Sequence, residues 1–151
     1  MTVKAAAMDH AATSPIFPPH GHSEFLADGA IVRIAVEGPF NVEGVDEFGA
    51  RMRAIFATLP AGQAVVTLAE IRRTLVSPPD AWTRLERLVA AMQGGPHRIL
   101  GTAWVVDEAV EGRSLLVPKA RRMYAAADRA FEVFTTADAA EAWARARLSA
   151  G

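Results

Sequence analysis

Two stretches of this chain, AVVTL at 64–68 and RILGTAWVV at 98–106, restrict it to a layered α/β architecture. The first is short, β-branched and uncharged, which suits a strand covered on both faces. Between the two lies a helical period. Trp82, Leu85, Val89 and Met92 make one apolar stripe from Pro78 to about Gln93, and Gly94-Gly95-Pro96 supplies the stop. A strand, a helix and a second strand imply a parallel pair joined by a right-handed crossover.

The pattern extends to both sides. Ile31–Val36 alternates as a strand and pairs with the run before it in a hairpin around Asp28-Gly29. From Asn41, a good cap residue, Val45, Phe48, Met52, Ile55, Phe56 and Leu59 form a helical stripe that Pro60 and Gly62 end. Beyond the loop DEAVEGR, SLLVPKARRMYAAA is predicted helical, with Pro118 in its first turn because proline breaks a helix interior. RAFEVF (129–134) alternates as a strand, and TTADAAEAWARARL is a last helix capped by Thr135 or Thr136. The expected fold is α/β: a mixed, mostly parallel sheet of four to five strands with an N-terminal hairpin, covered by about four helices. One domain is expected over 22–151, after a loosely ordered arm at 1–21.

With 151 residues and 51% hydrophobic content, the chain can bury a core of its own. A formal net charge of −1 gives no field to attract nucleic acid, and cysteine is absent. No apolar run reaches a membrane span, and the N-terminus makes a poor signal peptide, so a soluble cytoplasmic protein is expected. His10, His20 and His22 read as solvated arm side chains and not as a metal set, and His97 as a loop hydrogen-bonder. Glu43, Asp46 and Glu47 read as a charged helix start, and Asp107, Glu108 and Glu111 as a solvated loop. No phosphate-binding glycine loop or nucleophile elbow is present, and no cofactor is expected.

The opening hairpin, the three βα units and the ending FEVFTTADAAEAWARARL resemble SpoIIAA-like proteins, which share the STAS fold of anti-sigma-factor antagonists and sulfate transporters. Phe131, Phe134, Ala140 and Trp143 carry the likeness, with AWVVDEAVEGRSLLVP and RRMY, over roughly residues 22–148. It implies a SpoIIAA-like fold, a homodimer, and a regulated serine at the start of the helix after a central strand. Ser77, in LVSPPD, stands about where that serine would be. Val76 replaces the usual preceding Asp, and Pro78-Pro79 the following Ser-Gly.

Read from its own neighbours, Ser77 is a helix cap. Serine before proline starts helices, and Asp80 suits the positive end of the helix dipole. A phosphate there would lack two backbone N–H groups, because Pro78 and Pro79 have none. Arg72 and Arg73, and Arg121 and Arg122 on a later helix with Tyr124, are candidate anion-binding groups. Trp82 and Trp143 are candidate interface aromatics. The expected function is a non-enzymatic STAS-like module acting by protein contact. The alternative is a carrier of a small apolar or lipid-like ligand, which a pocket between the sheet and the helices at 41–59 and 78–93 would favour. A switch through phosphorylated Ser77 ranks behind both.

Overall fold

A computed structural model describes residues 17–151; His10 and most of the arm lie outside the described residues. The elements are β1 (His22–Asp28), β2 (Ile31–Glu37), α1 (Val42–Phe56), β3 (Ala64–Arg72), α2 (Pro79–Gln93), β4 (Arg98–Val106), α3 (Arg113–Ala126), β5 (Phe131–Phe134) and α4 (Ala137–Ala150). They form an α/β architecture around one mixed sheet of five strands in the order β1-β2-β3-β4-β5. β1 and β2 are antiparallel across a tight turn that opens on Gly29, whose φ of 60° suits glycine. The β2–β3, β3–β4 and β4–β5 pairs are parallel.

Each parallel step advances one strand in the same direction, so right-handed crossovers deliver α1, α2 and α3 to one face of the sheet. α4 follows the last strand and crosses the opposite face, over β3 and β4. Two cores result. The larger sets Val32, Ile34, Val65, Trp104 and Val106 of the sheet against α1–α3. The smaller packs Ile31, Val66, Leu68 and Ala103 beneath Ala140 and Ala144 of α4. Those alanines let α4 lie close to the sheet, and Trp143 lies where a Cβ on Gly101 would go.

A bulge in β4 decides which side chains face the larger core. Val65 pairs with Ile99, but Val66 pairs with Gly101, so Leu100 is the extra residue. Beyond it, Thr102, Trp104 and Val106 point to the same side as Ile99, which simple alternation forbids. Thr102 therefore sits beside Thr67 of β3, their hydroxyl oxygens 2.7 Å apart inside the protein.

Several expectations need correction. β3 runs to Arg72, four residues past the uncharged stretch, because Glu70 is only half-buried and Arg72 is exposed. Pro118 lies inside α3 and not in its first turn. The carbonyl its missing N–H leaves free belongs to exposed Ser114, where water can satisfy it. The end of the arm is anchored: Asn41 caps α1 by accepting from the Gly44 N–H, and the same Oδ1 accepts from the His20 N–H, both at 2.8 Å. Its amide donates to the Pro18 carbonyl at 2.9 Å. Thr136 is the cap of α4, accepting from the Ala139 N–H. No helix among the described residues is long and apolar enough to cross a membrane.

Candidate functional site

The larger core does not close completely. A cavity of about 110 Å³ remains between the sheet and α1–α2, where the carrier reading places it. Its floor is Ile34, Thr67, Ala69, Thr102 and Trp104; Phe48 and Met52 of α1 and Trp82, Leu85 and Met92 of α2 form the walls. The helical stripes evident in the sequence thus face the sheet and bury most of their surface. They part where Ala69 and Ala81 leave the space small side chains cannot fill.

One end of this apolar cavity is polar. Arg129 lies there, only 7% exposed, at the join between α3 and β5. The backbone explains its inward turn. The Arg129 N–H bonds the Tyr124 carbonyl at 2.9 Å and the Asp128 N–H the Ala125 carbonyl at 3.0 Å. With Asp128 at φ 58°, this is a Schellman closure of α3 that places the next residue over the core. The guanidinium donates to Gln93 Oε1 at 2.7 Å, Thr102 Oγ1 at 3.2 Å and the Val89 carbonyl at 3.3 Å. It lies 5.6 Å from the Tyr124 ring centre, and that ring stacks on Phe131 at 4.5 Å.

Among the described residues no carboxylate lines the cavity, and none accepts from Arg129. Burial lowers the Arg129 pKa from its ordinary value, and Tyr124 partly offsets this. Arginine nevertheless stays charged in a protein. The same burial pushes the Tyr124 phenol up, with Arg129 and the Trp104 indole N–H opposing, so its hydroxyl is neutral near pH 7. Trp82 is 6% exposed, and its Nε1–H has no hydrogen-bond partner. The Arg129 N–H groups beyond these three bonds can hold a further acceptor. The lining supplies no carboxylate or imidazole to act as a general base.

The chain matches no family model, no curated protein and no solved structure.

The residues singled out from sequence occupy different places. Ser77 is not the cap of α2. Pro78 holds that position without a side-chain bond, while the half-buried Ser77 Oγ accepts from the Phe40 N–H at 3.0 Å. Serine there ties the loop before α1 to the loop before α2, at the cavity end away from Arg129. Arg72 and Arg73 are exposed and face carboxylates, Glu70 at 3.4 Å and Glu37 at 4.0 Å. Arg73 has φ 77°, and the Thr74 N–H closes back on the Arg72 carbonyl at 2.9 Å, the tight γ-turn that non-glycine residues rarely adopt. Arg121 pairs with Glu132 at 3.5 Å on the far side of α3, and Arg122 is exposed beside it. The four arginines do not converge, and Tyr124 faces the core instead of joining them.

Trp82 belongs to the cavity wall and has no surface to offer a second subunit. Trp143 is half-buried on the other face, where the Arg147 guanidinium covers its ring at 5.3 Å. His97 does bond within a loop, through Nε2 to the Leu59 carbonyl at 3.3 Å. Among the described residues no three His, Asp or Glu side chains gather as a metal site. Arg129, Thr67 and Thr102 were not legible as site residues. Arg129 reads as the polar head of a strand, and Thr102 faces the cavity only because of the β4 bulge.

Proposed function

We propose that this chain is a STAS-like module whose cavity captures a small apolar molecule. One observation carries the reading: an unfilled apolar space between α1–α2 and the sheet, with the Arg129 guanidinium at one end. Ligand sites have this composition, a mostly apolar lining with few polar groups that fix orientation. The volume is somewhat below the roughly 150 Å³ of an apolar cavity that accepts benzene, so the occupant is a group of about four or five carbons. The STAS assignment rests on the packing residues Phe131, Phe134, Ala140 and Trp143. Thermal unfolding tests the ligand reading: 3-methylbutanol in the millimolar range should raise Tm by mass action on the folded state. An unchanged or lowered Tm contradicts it.

Contact with a protein partner, including a second copy of this chain, is the second reading. Val76 is 47% and Leu115 71% exposed, on segments that meet at Gly112. Such apolar exposure next to the Ser77 loop is what a docking edge presents. Sedimentation equilibrium at high micromolar concentration should show a dimer that Leu115→Lys weakens. A wild-type monomer under those conditions removes the homodimer from the account. The Ser77 switch has less support, since the half-buried Oγ is already engaged by the Phe40 N–H and Pro78 and Pro79 offer a phosphate no N–H groups.

A further inference from the structure

Building on the ligand reading, we propose that the occupant of the cavity is a small monocarboxylate, its apolar body against Ala69, Leu85 and Met92 and its carboxylate at Arg129. The argument begins with donors left over. A guanidinium has five N–H groups, and Arg129 uses three on neutral acceptors, leaving one on each terminal nitrogen. Guanidinium N–H groups left over in this way are donors for charge-assisted hydrogen bonds to a carboxylate.

Charge points the same way. Arg129 is the one ionised group in the lining among the described residues, and a buried cation without a counter-ion is costly. An anionic ligand supplies the counter-ion, a neutral one only an acceptor, and an ammonium ion would meet like charge. The cavity volume limits the rest of the molecule. A body of about four or five carbons excludes long-chain fatty acids and favours short branched or straight-chain acids.

Calorimetric titration of the full chain at neutral pH tests this with three probes of one shape: 3-methylbutanoate, 3-methylbutanol and 3-methylbutylamine. The carboxylate should bind at least about tenfold more tightly than the alcohol, and the amine should not bind, as expected of charge-assisted bonds. Arg129→Met should abolish the carboxylate preference while the alcohol still binds. If Arg129→Met does not fold, the wild-type preference decides the matter. Equal binding of alcohol and carboxylate, or a preference that survives in a folded variant, overturns the proposal and leaves the apolar-ligand reading standing. Binding of none of the probes overturns both.

Discussion

Ala69→Val tests whether the space above the sheet is real. Ala69 lies at the centre of β3, in register with Ile34 on one side and Trp104 on the other, and its methyl faces the cavity. Valine adds two carbons where about 110 Å³ is unfilled, and the β-branched side chain suits a strand. At about 0.8 kcal/mol per buried methylene the gain is about 1.6 kcal/mol, reduced to about 1 kcal/mol by lost rotamer freedom. For a domain of this size that corresponds to a Tm increase of about 2–4 °C. Denaturant unfolding should show a higher midpoint at unchanged slope, the mark of altered stability without altered compactness. The same methyls should weaken 3-methylbutanol binding several-fold. A loss of 1 kcal/mol or more would mean that Trp104 and Ile34 already close over Ala69, since overpacking a filled core costs that much. The site would then have no volume.

Other consequences follow from single residues. Asn41→Ala should lower stability by about 1–2 kcal/mol in denaturant unfolding, more than an ordinary cap, because its side chain also holds His20 and Pro18. Asp128→Gly should raise stability by about 0.5–1 kcal/mol, since glycine takes φ 58° without strain; loss of stability would show that the Asp128 side chain does more than tolerate the turn. Glu141 accepts from Arg33 and Arg145, which hold its carboxyl below the usual glutamate range. The sign follows: a depressed folded-state pKa stabilises above the unfolded value, and this contribution disappears as pH falls through the folded one. NMR titration should therefore find Glu141 below an ordinary glutamate, and Arg33→Ala should return it upward.

Strands and helices were legible where period and punctuation agreed. The α1 and α2 stripes end on Pro60 and Gly94, and their apolar faces are the ones that meet the sheet. Less was legible where one residue type serves two geometries. Serine before proline reads as a cap, but Pro78 itself takes the cap position and releases Ser77 to bond Phe40. RILGTAWVV has too little alternation to reveal that Leu100 is a bulge, so the orientation of Thr102 and Trp104 was hidden. The uncharged stretch of β3 ends at Leu68, and the strand continues through Glu70 and Arg72 because a strand with one partly open face tolerates charge there. Trp82 reads as interface or core by composition; only the assembled fold makes it a wall of the cavity. The cavity itself has no sequence signature, because it arises from side chains of α1, α2 and three strands that fail to meet.

Methionine-methyl NMR puts the claim of a ligand cavity to the most direct test. Met52 and Met92 line the cavity, whereas Met123 is buried on α3 outside it. Titrating 3-methylbutanoate should shift the Met52 and Met92 methyl signals along saturable curves and leave Met123 in place. Unmoved Met52 and Met92 signals, or equal shifts at all three, would contradict the cavity as a binding site.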